Sequence, residues 1–475
     1  MLTIKKQYLD SIFMNSIVDV LFRVVFFNIA DLFGCGKSVN LPLALAILLF
    51  GYVYVTIRLK GLQFTRFHTM IKYVFNSNDN NVKKGTSSSI KTLLTSIASC
   101  TGMNATAGIV FMVAVGGVGT IFWLPILALL SMPFRFAEVW LSHSYRSIRK
   151  NNSMLGGPFD YIKKGLADLG FVKIGKGLAL FYAVAMVVTG AIGLSMYEMN
   201  QSVVIFEKSF SFLEGKRALL SAFFTLVAVW AILGGTKRIA TFMTISLPTL
   251  SLIYVLVSFV VIVANYAKLG TALAIIFNDA LHPRSIAGGF IGSFCMCARK
   301  CALSHETGLG TSGIVHALSS ETDSVKEAIR SMMTPLINGL IICMATALVL
   351  VTTDTYKDVD IMKDGVPALS HAFGSVCKMF SYVVIVIIPL FTINVMIGWS
   401  NYVGKCSQYI CGNKPFTVIT MVVFFVFAFV GGIIDDFVLI MNTIDVLLMF
   451  ILMVNVPVVV ILSGKVAMSL KKYKF

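Results

Sequence analysis

Charge is scarce in this chain, and acid is scarcer than base. Only 13% of the 475 residues are Asp, Glu, Lys or Arg, against 57% hydrophobic, and 39 Lys and Arg outnumber 22 Asp and Glu. A soluble globular domain holds about 25% charged residues, so soluble classes are excluded. Paired cysteine spacing is missing too. The nine cysteines are odd in number and mostly lie in or beside apolar runs, so they read as small buried hydrophobes, not a disulfide framework. No nucleophile elbow, phosphate loop or zinc signature appears, which argues against an enzyme. A cleavable leader pattern is lacking: Lys5 and Lys6 precede a segment interrupted by Asp10, Asp19, Arg23 and Asp31. That segment, 11–34, reads as an amphipathic helix on the membrane surface.

What is present is apolar sequence of membrane length. Mean hydropathy is +0.86. Charge-free runs predict eleven transmembrane helices, at 39–57, 90–114, 118–140, 177–198, 218–234, 240–264, 285–303, 332–353, 379–400, 415–434 and 438–463. The chain divides into an N-terminal amphipathic segment (1–38), a transmembrane domain (39–464) and a basic tail (465–475). The formal charge of +17 sits largely in loops after odd-numbered spans, such as Arg58 to Lys91 and Arg146 to Lys164, and in the tail. Asp354, Asp358, Asp360 and Asp364 follow the eighth span, and Asp435 and Asp436 the tenth. Basic loops mark the cytoplasmic side, so the expectation is N-terminus outside, C-terminus inside, and no nucleic-acid partner.

One stretch stands out, Ser99-Cys100-Thr101-Gly102-Met103-Asn104-Ala105-Thr106-Ala107-Gly108, inside a run without charge from Thr92 to Phe134. Glycines, hydroxyls and an amide are poor material for a continuous helix. A bilayer accepts unwound backbone only where it lines a cavity or is buried in protein. The second span therefore reads as a broken helix, and broken helices hold ligands in many transporters. Five spans later, Gly288-Gly289 and Gly292 interrupt the seventh span. Two such spans at matching places in two five-span halves fit an inverted-repeat transporter. Freed N–H groups suit a substrate carboxylate and freed carbonyls a cation. Thr101, Gly102 and Asn104 are candidates to supply them, with Gly108 and Gly289 allowing close approach. Glu198 is a functional candidate as an acid in a span, but its place at the end of its charge-free run favours solvated surface. Arg135 and Glu138, spaced i,i+3, read as an ion pair locking helix packing. His305, Glu306 and His316 fall in the inner loop after the seventh span.

Several blocks, in order, resemble the alanine/glycine:cation symporters, a bacterial family of sodium-coupled amino-acid transporters. They are Gly116-Gly117-Val118-Gly119-Thr120-Ile121-Phe122-Trp123 with Phe134 to Val139, Gly156 to Leu166, Gly234 to Ala240, Ser304 to Ser312 with His316-Ala317, and Gly398-Trp399-Ser400-Asn401-Tyr402. The resemblance implies a five-plus-five inverted-repeat core of the leucine-transporter type after one extra span. It implies a bacterial cytoplasmic-membrane monomer that imports small neutral amino acids, chiefly alanine and glycine, with sodium as coupling ion and no other cofactor. By family position, Trp399 and Met199 line the substrate pocket, and Ser99 and Asn394 hold sodium. The chain departs from the family where ligands bind. The motif GTGNIAG becomes Gly102-Met103-Asn104-Ala105-Thr106-Ala107-Gly108, Met196 and Met199 stand at Asn and Gln positions, and Asn394-Val395 replaces a Ser-Thr pair. Met103, Met196 and Met199 together imply a softer, less polar pocket.

Overall fold

The computed structural model describes residues 27–29, 41–75, 87–148, 154–234, 236–281 and 290–473. The expected segment 11–34 and Gly288-Gly289 therefore lie almost wholly outside the described residues. The architecture is nearly all helical. The main helices are α1 (Leu43–Arg58), α2 (Ser89–Cys100), α3 (Ala107–Gly116), α4 (Thr120–Ser144), α5 (Val172–Ser209), α6 (Arg217–Leu233) and α7 (Thr236–Ala264). After them come α8 (Tyr266–Leu281), α9 (Phe290–His305), α10 (Thr311–His316), α11 (Ser324–Thr352), α12 (Lys378–Ile410), α13 (Lys414–Ile433) and α14 (Phe437–Lys472). The described strands are one short antiparallel pair, Ser147–Ile148 with Met154–Leu155.

Among the described residues, seven helices are long and apolar enough to cross a membrane: α4, α5, α7 from Met243, α11, α12, α13 and α14. The bent pair α2 and α3 makes eight. The outer helices show what lipid does to a sequence. Leu252, Leu256 and Phe259 on α7, and Val418, Val422 and Val426 on α13, are exposed at helical spacing, the pattern of a face turned to acyl chains. Lipid is as apolar as leucine, so burial alone does not drive these helices together, and close packing and buried polar bonds take over. At Gly398 of α12, an added Cβ would strike Ser99 of α2.

Two helices carry π-helical stretches, Thr189–Leu194 in α5 and Leu336–Cys343 in α11. Helix α14 continues through the basic residues Lys471 and Lys472, so the tail begins as helix.

Candidate functional site: two helix breaks bridged by an amide

The first break is at the predicted stretch. Helix α2 stops at Cys100. Thr101 and Gly102 are non-helical, Met103–Ala105 forms a single 3-10 turn, and Thr106 (φ −119°, ψ −85°) leads into α3. The two halves meet at a 62° bend. The Thr101 hydroxyl donates to the Ile97 carbonyl at 2.9 Å and lies 3.1 Å from Asn338 Oδ1. Gly102 has no room for a side chain, because an added Cβ would lie 2.9–3.0 Å from the Glu198 carboxylate and would run into Val395. Asn104 is 1% exposed, and its Oδ1 has no hydrogen-bond partner. Gly108 packs near the Met103 carbonyl and the Tyr197 hydroxyl.

A second break follows α9, past Gly292; Gly288-Gly289 lie outside the described residues. Helix α9 ends at His305, and the chain unwinds through Glu306 (φ +53°), Gly308 (φ +95°) and Gly310 (φ +78°) before α10. Three left-handed residues in five end a helix firmly, and two of them are glycine, which adopts that conformation without strain. Ser304-His305-Glu306-Thr307-Gly308 is thus buried interior, not an inner loop; His305 and His316 are wholly buried. Gly292 lies within α9.

Side chains from five helices hold this second break. Its carbonyls accept bonds from Arg135 (to His305, 3.1 Å), Tyr52 (to Thr307, 2.9 Å), Asn455 (to Gly308, 2.9 Å) and Tyr182 (to Leu309, 2.7 Å). Asn338 donates to the Ser304 carbonyl. The Gly308 N–H donates to Glu138 at 3.0 Å, and Asn455 donates to the same carboxylate at 2.8 Å. Arg135 and Glu138 therefore do not pair with each other as their spacing suggested. Arg135 reaches Ser96 of α2 at 2.8 Å as well as the His305 carbonyl, and Glu138 binds the Gly308 N–H. Buried backbone needs partners, and here it outbids the local i,i+3 ion pair.

One amide joins the two breaks. Asn338, buried in the π-helical stretch of α11, donates to the Cys100 carbonyl at 3.2 Å on one side and to Ser304 on the other. Trp399 of α12 donates from Nε1 to Glu306 at 2.6 Å, and Thr311 donates to the other oxygen of that carboxylate at 2.6 Å.

The remaining predicted residues divide. Ser99 is buried, bonds to Tyr402 at 2.6 Å and packs on Gly398. Asn394 lies one turn earlier on α12, but its Oδ1 accepts from Ser246 of α7 at 2.9 Å, leaving Nδ2 unpartnered. Met199 is buried on α5, about 100° round the helix from Glu198. Met196 packs its backbone on Gly431 of α13. Gly289 lies outside the described residues.

Sequence reasoning missed two residues. Asn338 was an unremarked amide in an apolar run. Glu198 was read as solvated because the charge-free run ends there. It is in fact wholly buried, because α5 continues to Ser209. Its oxygens lie 3.3 and 3.4 Å from the Met103 N–H, and Thr392 of α12 donates to Oε2 at 3.2 Å. An acid inside a spanning helix is a functional signal by default; its place at the end of the charge-free run outweighed that signal.

Two interrupted helices, buried together in a polytopic helical membrane protein and lined with polar groups, define a secondary transporter, not an enzyme. The model of the sodium:alanine symporter family matches residues 30–475, and the chain belongs to that family. It is 30% identical over 368 residues to an uncharacterized transporter of Haemophilus influenzae, covering 76% of this chain and 78% of the other. It is 29% identical over 378 residues to the sodium/alanine symporter AgcS of Methanococcus maripaludis, covering 78% and 82%. Among solved structures, MhsT in complex with L-phenylalanine matches with a TM-score of 0.59 at 13% identity, over 81% of this chain and 89% of that one. The likeness shows the fold, the leucine-transporter type.

Proposed function

We propose that this protein imports a small neutral amino acid, alanine- or glycine-like, together with sodium, by alternating access. The observation that carries the reading is the pair of bridged breaks, which brings Thr101, Gly102, Asn104 and Gly108 into the membrane interior within reach of α5, α11 and α12. A zwitterion in that position needs both of its charges met, or desolvation excludes it. Asn104 Oδ1, buried without a partner, is a ready acceptor for an ammonium group. Trp399, fixed by Glu306, forms a wall, and Met199 makes the neighbouring surface apolar. Ser99 is the nearer of the two candidate sodium ligands to the break. Asn394 contributes only if its oxygen leaves Ser246.

The topology that goes with this function has eleven crossings, with α1, α6 and the interrupted pair α9 and α10 added to the eight apolar spans. The N-terminus is then outside and the C-terminus in the cytoplasm, in a bacterial inner membrane. The family name and the relatives named for sodium and alanine support both cargoes. The test is uptake into proteoliposomes with imposed gradients. Alanine or glycine accumulation under an inward sodium gradient is expected. Absence of uptake for every neutral amino acid under any gradient overturns the reading.

A further inference from the structure

The first break frees a backbone N–H at Met103, and the chain's own Glu198 carboxylate already occupies it. In this type of carrier such an N–H is where a substrate carboxylate is expected to bind. The hold is weak for an ionised acid. One N–H is shared between two oxygens at 3.3 and 3.4 Å, and one hydroxyl, Thr392, stands at 3.2 Å. Bonds to a charged carboxylate are ordinarily about 2.7–2.9 Å. No ion pair to Glu198 occurs among the described residues. The titratable groups around it do not supply a positive charge either. Tyr197 is beside it on α5, and Glu306, which acts on it from the second break, is another acid. Asp445 of α14 is taken by Lys300 and Arg299 of α9. Arg135 of α4 is directed at Ser96 and the His305 carbonyl and makes no ion pair with Glu198. Arg217 of α6 pairs with Glu207 at the far end of α5. α12 and α13 bring hydroxyl and apolar groups, and His371 of the helix Val366–Gly374 is exposed.

We propose that Glu198 is an internal competitor for the substrate's carboxylate, displaced by a proton that then travels with the amino acid. With Glu198 ionised, the Met103 N–H is taken and a second carboxylate beside it is repelled. A proton from the outer aqueous side forms an O–H bond on one Glu198 oxygen. The neutral acid gives up the N–H, the substrate carboxylate takes its place, and the proton returns to water on the inner side as the substrate leaves. This inference rests on the amino-acid reading above and adds a proton-binding residue to it. Glu198 thus faces the stretch Gly102 to Gly108 that departs from the family motif.

The test is binding of a panel of radiolabelled neutral L-amino acids and glycine to the purified full-length protein in saturating sodium chloride, from mildly acidic to mildly alkaline pH, with pH-dye detection of protons taken up. Apparent affinity is expected to weaken by up to about tenfold per pH unit on the alkaline side, the slope for one linked proton, with a proton absorbed on binding. Glu198→Gln, a neutral isostere, should bind equally well across the range and absorb no proton. Glu306→Gln should keep the slope, which assigns it to Glu198. Flat wild-type affinity without proton uptake overturns the inference and leaves the amino-acid reading standing. A slope that disappears in Glu306→Gln and persists in Glu198→Gln also overturns it. If no panel member binds at any pH, the amino-acid reading falls and this one falls with it. Should Glu198→Gln fail to fold, the wild-type slope and proton count decide alone.

Discussion

The two helix breaks are built from similar material and held very differently. At the second, five successive or near-successive carbonyls, from Ser304 to Leu309, are met by Asn338, Arg135, Tyr52, Asn455 and Tyr182, drawn from α11, α4, α1, α14 and α5. At the first, Asn104 Oδ1 has no partner, and the Met103 N–H is met only by a long, shared bond to Glu198. A buried polar network is costly when one member is removed, because the others remain buried. The backbone of the second break therefore belongs to the framework, whereas at the first the Met103 N–H and Asn104 Oδ1 stay open to exchange. A transporter needs both kinds of backbone.

Mutations can break this contrast, and the largest effect is expected at Asn455. Asn455→Leu removes donors to Gly308 and Glu138 and an acceptor for Tyr161. The loss is of the order of 3 kcal/mol or more, since each orphaned buried group costs about 1–3 kcal/mol. A steep fall in thermal stability of the purified protein is the expected readout. A melting profile like that of the parent would show that the second break is not anchored. Next is Gly102→Val, which puts a side chain where Glu198 and Val395 already are. Uptake should be abolished, with a smaller loss of stability than for Asn455→Leu.

Asn104→Ala is the sharper test, because its oxygen has no protein partner to lose. Folding should be unchanged and uptake weakened about tenfold, the worth of a bond of about 1.4 kcal/mol. Unaltered uptake kinetics would remove Asn104 from the site. Asn394→Ala should have a lesser effect, confined to the sodium dependence of uptake, since its oxygen is engaged by Ser246. The smallest effect lies outside both breaks. Lys268 and Lys357 hold the Asp354 carboxyl below the usual carboxylate range through their hydrogen bonds. Its stabilising contribution is present above the unfolded carboxylate pKa and is lost as pH falls through the lowered folded value. Asp354→Asn should leave the melting temperature nearly unchanged at neutral pH, as exposed pairs do.

The apolar helices and the first break were legible because lipid imposes a simple code, long uncharged runs in which glycine and hydroxyls mark a break. The break at His305 to Gly310 was not anticipated, because glycine density served as the signal. It is rich in polar residues and follows Arg299 and Lys300, so it looked like a loop. Glu198 was misread for a related reason: a run ends at its first charge, but the helix does not. The Arg135 and Glu138 reading used only spacing within one helix. Sequence spacing does not show unwound backbone arriving from another part of the chain, and that backbone took both side chains.

The π-helical stretch Thr189–Leu194 lies directly ahead of Glu198 on α5. A π turn carries a surplus residue compared with an α turn of similar rise. The surplus is stored winding. Passing it one register past Glu198 would swing that carboxylate about 100° around the helix axis while leaving the rod intact. On the proposal made above for Glu198, that stored winding is where the carboxylate turns toward the break and away from it.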